Sequence, residues 1–600
     1  MVVLFIFMAL LQPAPIGRTK TARTVGRRYQ SLVMMLSITL LMFGGIGSRL
    51  AYLQLIEGTR NRQRAENNRI RLIPRQPERG NIFDRKGKVL ASSRLSHAVY
   101  VWPMAPKKAE WPKSRKRLSQ ILKITEAEIQ KRLEQAGYNS TTLVRVARDL
   151  NPGQITALAE YSNELEDVEV YIEAARNYPN GELAAHVLGY TGEMNDEELA
   201  QKRDEGYRLG DIIGQMGVEA AEEKQLRGKW GGQQVEVDGA GRIMRIIGEK
   251  PASPGQDVHL TLDLNLQKAS EAALGDRQGA IVALDPRNGA VLAMVSRPAF
   301  EPNIFSKRIT PDQWRKLQRK DHPFVNRALR GFPPASTFKI ITATAGIESG
   351  KFSPNTVLQT YGCMNIGGTS FCDWNLAGFG PLGFVGALAW SSDTFFYQIG
   401  RGIGGPTLID WTRRYGFGQK TGIELVGEES RGLVADDAWK QKNLKLPWSV
   451  GDTVNMSIGQ GFLQVSPLQV AVMFAVPASG GYRVKPHLLK NNEAAKTWRE
   501  SLNLKPETIR VLRQGLRNVV SGGTGRALDV PTIPPASGKS GTAEAFGKKS
   551  HTWFGAYAPS DKPEIVVVAF AEHSGGGGGK ICAPMVLKVL EAHFKAKGKR

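Results

Sequence analysis

Pro334-Ala335-Ser336-Thr337-Phe338-Lys339 is the stretch that decides how the rest of the chain is read. Prolines lead into it, and an apolar run, 340–345, follows and stops near Gly350. Proline before such a run and glycine after it are helix start and stop signals. Residues three apart share one face of a helix, so the spacing predicts the Lys339 amine over the Ser336 hydroxyl in the first turn. A serine is a weak nucleophile until a base removes its proton. A lysine serves as that base when burial or nearby positive charge lowers its pKa. The helix N-terminus adds a field favourable to developing negative charge. Alone, the motif says little, because average composition yields Ser-x-x-Lys by chance roughly twice in a chain this long.

Two later stretches complete a site. Ser391-Ser392-Asp393 precedes Thr394-Phe395-Phe396-Tyr397, and Lys539-Ser540-Gly541-Thr542 follows a Pro-rich loop. As an edge strand, 539–542 flanks the Ser336 helix. Lys539 then supplies positive charge that keeps Lys339 from holding its proton. Ser540 and Thr542 supply hydroxyls for a substrate carboxylate, and Gly541 lets substrate backbone approach closely. Taken singly, Ser391 reads as a helix cap and 539–542 as a polar loop. The three together, in this order, point to serine acyl transfer.

The chain has 600 residues, 41% hydrophobic and 23% charged, enough for several domains with sizeable cores. A net charge of +24 suits nucleic acid, anionic lipid or an anionic polymer without choosing among them. No zinc-finger or aromatic-rich ribonucleoprotein signature is present, so no nucleic-acid partner is expected. Three cysteines without Cys-x-x-Cys, and eight scattered histidines, give no metal or cofactor pattern.

Residues 32–48 carry no charge, and with 29–31 they reach the length needed to cross a bilayer. Arg18, Lys20, Arg23, Arg27 and Arg28 precede them, which places residues 1–28 in the cytoplasm and the rest outside. A cleaved signal peptide is the rival, but the helical pattern continues through 49–53 and favours an uncleaved anchor at 29–50. Residues 1–11 are also apolar but too short to span, which leaves an interfacial segment or a start-site artefact.

Residues 51–255 read as an Arg-rich stalk and a mixed, non-catalytic pedestal. It holds a strand and turn around Ile82 and Phe83, charged amphipathic helices over 106–150, a short helix at 183–188 and another opening at Gly217. In the remainder, 256–600, a strand at 258–262 leads into a helix near Leu266. Apolar strands at 279–284 and 290–295 flank the turn sequence Asp285-Pro286-Arg287-Asn288-Gly289 and form a hairpin. Strands at 551–558 and 564–571 and a helix at 584–594 close the chain. Strands at both ends with helices between predict one antiparallel sheet covered by helices.

With these residues in place, the chain resembles the class B penicillin-binding proteins, membrane-anchored peptidoglycan transpeptidases. Their signatures read here as Ser336-Thr337-Phe338-Lys339 and Lys539-Ser540-Gly541. Arg79-Gly80-Asn81-Ile82-Phe83-Asp84-Arg85, Tyr178-Pro179, Gly217-Val218-Glu219, Gly459-Gln460-Gly461 and Trp553-Phe554 are similar to family positions. The resemblance implies an α+β multidomain fold: one transmembrane helix, a pedestal of dimerisation type, and a serine β-lactamase-like transpeptidase domain with a five-stranded antiparallel sheet. It implies that Ser336 attacks the penultimate D-alanine carbonyl of a stem peptide, with Lys339 as base and Ser391 relaying a proton to the leaving amine. The oxyanion hole would be the N–H groups of Ser336 and Thr542. β-Lactams would acylate the same serine. Asp393 stands where the second motif usually ends in Asn, and in this it resembles the elongation, penicillin-binding protein 2 type; division-type members usually have Asn. A carboxylate there favours the charged form of Lys339, which Lys539 must offset. Implied partners are a SEDS-type membrane glycosyltransferase and other elongation-complex proteins.

Cys363 and Cys372 frame Gly367-Gly368 symmetrically. A two-residue turn there pairs the cysteines at a non-hydrogen-bonded position, close enough for a disulfide, with two buried thiols as the alternative. Relatives of the elongation type are similar in holding a metal in this insertion through Asp, His and Cys. Asp373 falls at such a place, but 360–395 contains no His, so no metal is expected. The competing functions are a β-lactamase, a β-lactam sensor, a cell-wall-binding structural protein and a septal transpeptidase.

Overall fold

The computed structural model describes residues 20–60, 70–138, 143–207, 210–237, 243–307, 309–425 and 427–597. The apolar stretch at 1–11 lies outside them. Chain contacts divide the molecule into two units, one of residues 1–74 with 232–250, the other Arg75–Gly231 with Pro251–Arg600.

In the first unit the helix Lys20–Ala51 runs on as a π-helical turn, Tyr52–Ile56. Gly26–Ile56 is long and apolar enough to cross a membrane, and none of its apolar window is buried. It extends beyond 29–50 chiefly because Ala51, Leu53, Leu55 and Ile56 prolong the apolar helical run. The unit also holds a three-stranded sheet of Ile70–Arg75, Gly231–Val237 and Ile243–Lys250.

In the second unit, Ile82–Phe83, Val89–Val101 and Val144–Ala147 form a pedestal sheet, joined by Val258–His259 at one side and Val168–Asn177 against the long strand. Two expectations need correction here. The region 106–150 is not helical throughout: Trp111–Leu122 and Glu126–Ala136 are helices, but Val144–Ala147 is a strand whose alternate residues are buried. The strand expected at 258–262 is only Val258–His259, since the backbone then changes partner: Leu260 bridges Leu489 and the Thr261 N–H donates to the Leu488 carbonyl at 2.7 Å.

Pedestal residues far apart in the chain meet in one buried ion cluster. Arg79 Nε donates to Glu219 Oε2 at 2.6 Å and Arg79 Nη1 pairs with Glu223 Oε2 at 2.7 Å. Arg176 Nε donates to Glu219 Oε1 at 2.6 Å and its Nη1 to the Gly80 carbonyl at 2.8 Å. Tyr178 Oη adds a bond to Glu219 Oε1 at 3.3 Å. Burial works against the Glu219 charge, but Arg176 and Arg79 outweigh it and hold the carboxyl below its ordinary value of 4.5.

The other sheet is five-stranded and antiparallel throughout, in the order Val291–Arg297, Gly279–Leu284, Ile565–Ala571, Lys548–Ala558, Ser537–Ala545. Every residue of the central strand is buried, which is why it reads as a continuous apolar run. Side chains alternate across a strand, and the two faces feed different cores. Val282, Val566, Val568 and Phe570 pack with Ile340, Ile341 and Phe474. Ile281, Val567 and Ala569 pack with Leu266, Leu274, Val586 and Leu590. Burying one such valine contributes about 1.5–3 kcal/mol. Helix Pro467–Ser479, capped by a Ser466–Gln469 box, lies almost wholly buried against the first face. Lys339–Glu348 belongs to the same layer, and Leu264–Leu274 and Ala583–Lys597 cover the second.

Candidate active site

The serine stretch does not begin as an α-helix. Ala335–Phe338 is a 3₁₀ turn, and the α-helix starts only at Lys339. Side chains three apart eclipse in a 3₁₀ turn, so the tighter geometry keeps Ser336 and Lys339 on one face. Ala335, immediately before the serine, has φ +50°, unusual for a residue with a side chain. Its N–H donates to the Gly459 carbonyl at 2.9 Å. A Cβ at Gly459 would stand 2.2 Å from the Ala335 carbonyl oxygen, so only glycine fits there. Thr337 Oγ1 ties the turn to the Pro334 carbonyl at 2.7 Å. Ala335, Thr337, Phe338 and Lys339 are buried; Ser336 is the partly open member of the turn.

Lys339 and Lys539 are both fully buried. Lys339 Nζ donates to the Ser391 carbonyl at 2.7 Å, to Asp393 Oδ1 at 2.6 Å and, more weakly, to Ser391 Oγ at 3.3 Å. Lys539 Nζ lies 2.7 Å from Ser391 Oγ and 3.1 Å from the Ser540 carbonyl. Ser391 Oγ therefore bridges the two amines. Asp393 faces Lys339. Burial first, and the Lys339 charge second, push the Lys539 ammonium well below its ordinary 10.5, against an opposing pull from Asp393. The depression of Lys539, on the sheet, is something that spacing did not foretell. Ser391 ends helix Phe384–Trp390 in the left-handed conformation, φ +58°.

Lys539, Ser540, Gly541 and Thr542 all lie on Ser537–Ala545, the edge strand of the five. An edge strand leaves a row of backbone donors and acceptors unpaired, ready for an extended peptide. A Cβ at Gly541 would stand 3.1 Å from the Pro334 carbonyl and 3.2 Å from Thr337 Cγ2, which shows how closely this strand lies against the serine turn. Thr542 is exposed, and its Oγ1 accepts the Gly578 N–H at 3.3 Å. Ser540 is buried and its hydroxyl is already engaged, 2.8 Å from Thr524 Oγ1. Thr524 carries no signal in the sequence that would tie it to this site, and Gly459 was visible only as a family position, not as the partner of Ala335.

Cys363–Ile366 and Thr369–Cys372 form a hairpin in which Cys363 pairs with Cys372, and the two sulfurs are bonded at 2.16 Å. Among the described residues no group of three or more His, Cys, Asp or Glu side chains is arranged to hold a metal ion.

A partly open serine, a buried Lys–Ser–Lys bridge and a peptide-ready edge strand define a serine acyltransferase of the penicillin-binding class. Residues 279–591 match the penicillin-binding protein transpeptidase domain family and 74–260 the penicillin-binding protein dimerisation domain family. The peptidoglycan D,D-transpeptidase MrdA of Haemophilus influenzae is 33% identical, covering 97% of this chain and 94% of its own. That of Escherichia coli K12 is 33% identical over 94% and 93%. The complex of penicillin-binding protein PBP2 with MreC from Helicobacter pylori aligns at a TM-score of 0.77 and 27% identity, covering 88% of this chain and 99% of that one. The chain belongs to the penicillin-binding protein transpeptidase family, in its penicillin-binding protein 2 branch.

Proposed function

We infer that the chain is a peptidoglycan D,D-transpeptidase of cell-wall elongation, working through an acyl-enzyme on Ser336. The observation that carries this reading is the Lys339–Ser391–Lys539 bridge buried beside an accessible serine. One proton is shared along that bridge. When it passes from Lys339 through Ser391 to Lys539, Lys339 becomes a free amine within its Asp393 contact and accepts the Ser336 proton. Ser336 Oγ bonds to the penultimate D-alanine carbonyl, and the Ser336 and Thr542 N–H groups hold the oxyanion. The C–N bond then breaks, Ser391 delivers a proton to the departing amine, and D-alanine leaves. An amine from a neighbouring stem peptide attacks the ester and restores Ser336. The departing carboxylate binds at Thr542, while Ser540, paired with Thr524, shapes the strand rather than presenting a free hydroxyl. β-Lactams occupy the same cleft and remain on Ser336.

The proposed organisation is a cytoplasmic tail at 1–28, an anchor at 29–50, a stalk and pedestal at 51–255 and the transpeptidase domain at 256–600, with everything after the anchor extracytoplasmic. The basic residues before Gly26–Ile56 support that orientation, and an oxidising exterior is compatible with a Cys363–Cys372 disulfide. Partners on this reading are a SEDS-type glycosyltransferase and elongation proteins of the kind found with the Helicobacter pylori neighbour, which was solved bound to MreC.

Labelling with fluorescent penicillin tests the reading. The parent protein takes a persistent label and Ser336→Ala takes none. Rapid loss of label from the parent would indicate a β-lactamase instead, and label persisting on Ser336→Ala would remove the serine assignment.

A further inference from the structure

The insertion that carries the two cysteines does more than sit beside the cleft. Asp373, directly after Cys372, is only 3% exposed. Its Oδ2 accepts the Ser392 hydroxyl at 2.8 Å and the Thr394 N–H at 3.1 Å, and lies 3.2 Å from Thr394 Oγ1. Its Oδ1 has a long contact with the Asn375 N–H at 3.4 Å. A carboxylate this buried persists only where donors replace its water, and here the strongest donors all come from the turn that presents Ser391 and Asp393.

That turn needs holding. Ser391 occupies left-handed backbone space, which costs a non-glycine residue free energy and survives when neighbours over-determine it. Its carbonyl and hydroxyl, together with the Asp393 carboxylate, are the groups that bind Lys339. The insertion grips the turn on both sides. Before Ser391, Trp374 Nε1 donates to the Trp390 carbonyl at 3.0 Å. After it, Asp373 takes Ser392 and Thr394, and Tyr361 exchanges bonds with Thr394 Oγ1 at 3.0 and 3.2 Å. The base of the insertion is itself closed, by the Asp373 N–H on the Gly362 carbonyl at 2.7 Å and by the adjoining Cys363–Cys372 bond.

We propose that Asp373 is a positioning residue of the acylating site: it fixes the 391–394 turn so that Ser391 spans Lys339 and Lys539. This rests on the acyl-enzyme reading of Ser336. Asp373 touches neither lysine nor the serine and acts through Ser392 and Thr394. Loss of its charge lets the turn relax, lengthens the bridge and slows proton transfer, while the edge strand that receives the peptide is untouched.

The test is the kinetics of penicillin acylation on the detergent-solubilised full chain, with melting temperature measured beside it. In Asp373→Asn the acylation rate at saturating penicillin falls about ten- to hundredfold, as for a misplacement of about 1 Å, while the half-saturating concentration stays within about twofold. Ser392→Ala, which removes one donor and leaves the carboxylate, falls less but in the same parameter, and it decides the matter where Asp373→Asn does not fold. Saturating rates equal to the parent, or a loss that only tracks the unfolded fraction, would overturn the proposal. Failure of the underlying reading looks different: the parent takes no label, or Ser336→Ala is labelled as well as the parent.

Discussion

Two of the buried charge clusters in this chain are built on opposite principles. In the pedestal, Arg79 and Arg176 face Glu219 and Glu223, two cations for two carboxylates, with further bonds from Tyr178 and to the Gly80 carbonyl. In the cleft, Lys339 and Lys539 share one carboxylate, Asp393, and one hydroxyl, Ser391. The balanced cluster deepens its own ionisation: Glu219 is held below its ordinary value, and Arg79 is raised by Glu219 and Glu223 despite its burial. The unbalanced cluster pushes a proton off: Lys539 falls well below its ordinary value. Burial is common to both. Stoichiometry of charge separates a strut from the relay proposed for the other site.

The largest expected effect is at Lys539. Lys539→Met removes the second amine, and penicillin acylation falls about a hundred- to ten-thousandfold while circular dichroism stays native. Near-parental acylation would erase the distinction between the clusters. Next comes Glu219→Gln, which leaves two buried arginines short of charge and costs about 3–5 kcal/mol in urea unfolding, while the acylation rate of the folded fraction is unchanged. A changed rate at unchanged stability would make the pedestal cluster a functional one.

The pH responses of the two clusters run in the same direction, stability rising with pH, but in different ranges and for different reasons. The depressed Glu219 contributes stability that is present above about 4.5 and is lost as pH falls below that value, so acid unfolding of the parent is steeper than that of Glu219→Gln. The depressed Lys539 has the same slope but acts as a cost: between its folded value and 10.5 the unfolded chain binds more protons, so that cost shrinks as pH rises. Acylation rises with pH along the same limb, and in Lys539→Arg, which stays charged, a pH–rate profile is flat there. The smallest effect is at Cys582. Burial pushes its thiol up to about 12, against a bond from Thr552, so a thiol reagent leaves the native protein unlabelled at that residue and reacts on unfolding. Fast native labelling would mean that burial in this core does not silence a group by itself.

What could be read from the sequence follows the range of the interactions. The Gly279–Leu284 and Val291–Arg297 hairpin was legible because its turn residues and apolar runs are local, and its core faces follow from alternation. That Ser336 and Lys339 share a face was legible because three residues of helix or 3₁₀ turn place them on one side either way. Lys539 and Ser391 were legible only through motif resemblance, since nothing local brings them within 2.7 Å. Asp373 escaped because its partners, 392 and 394, are set by how the insertion folds back. The pedestal cluster escaped likewise: Arg79 and Glu219 were visible as separate family positions, but not as one network with Arg176. The strand Val144–Ala147 was hidden by its charged neighbours and its short length.

The order of strands has a consequence for biosynthesis. Val282, made midway through translation, pairs with Val568, made almost last. At ribosomal speeds the wait between them is on the order of tens of seconds, during which the first hairpin has an unfilled edge. Lys539 also arrives late. A nascent chain therefore cannot bring Ser391 and Lys539 together before nearly all of it has been synthesised, and premature termination anywhere before the last two strands leaves a product whose serine turn lacks the sheet beside it.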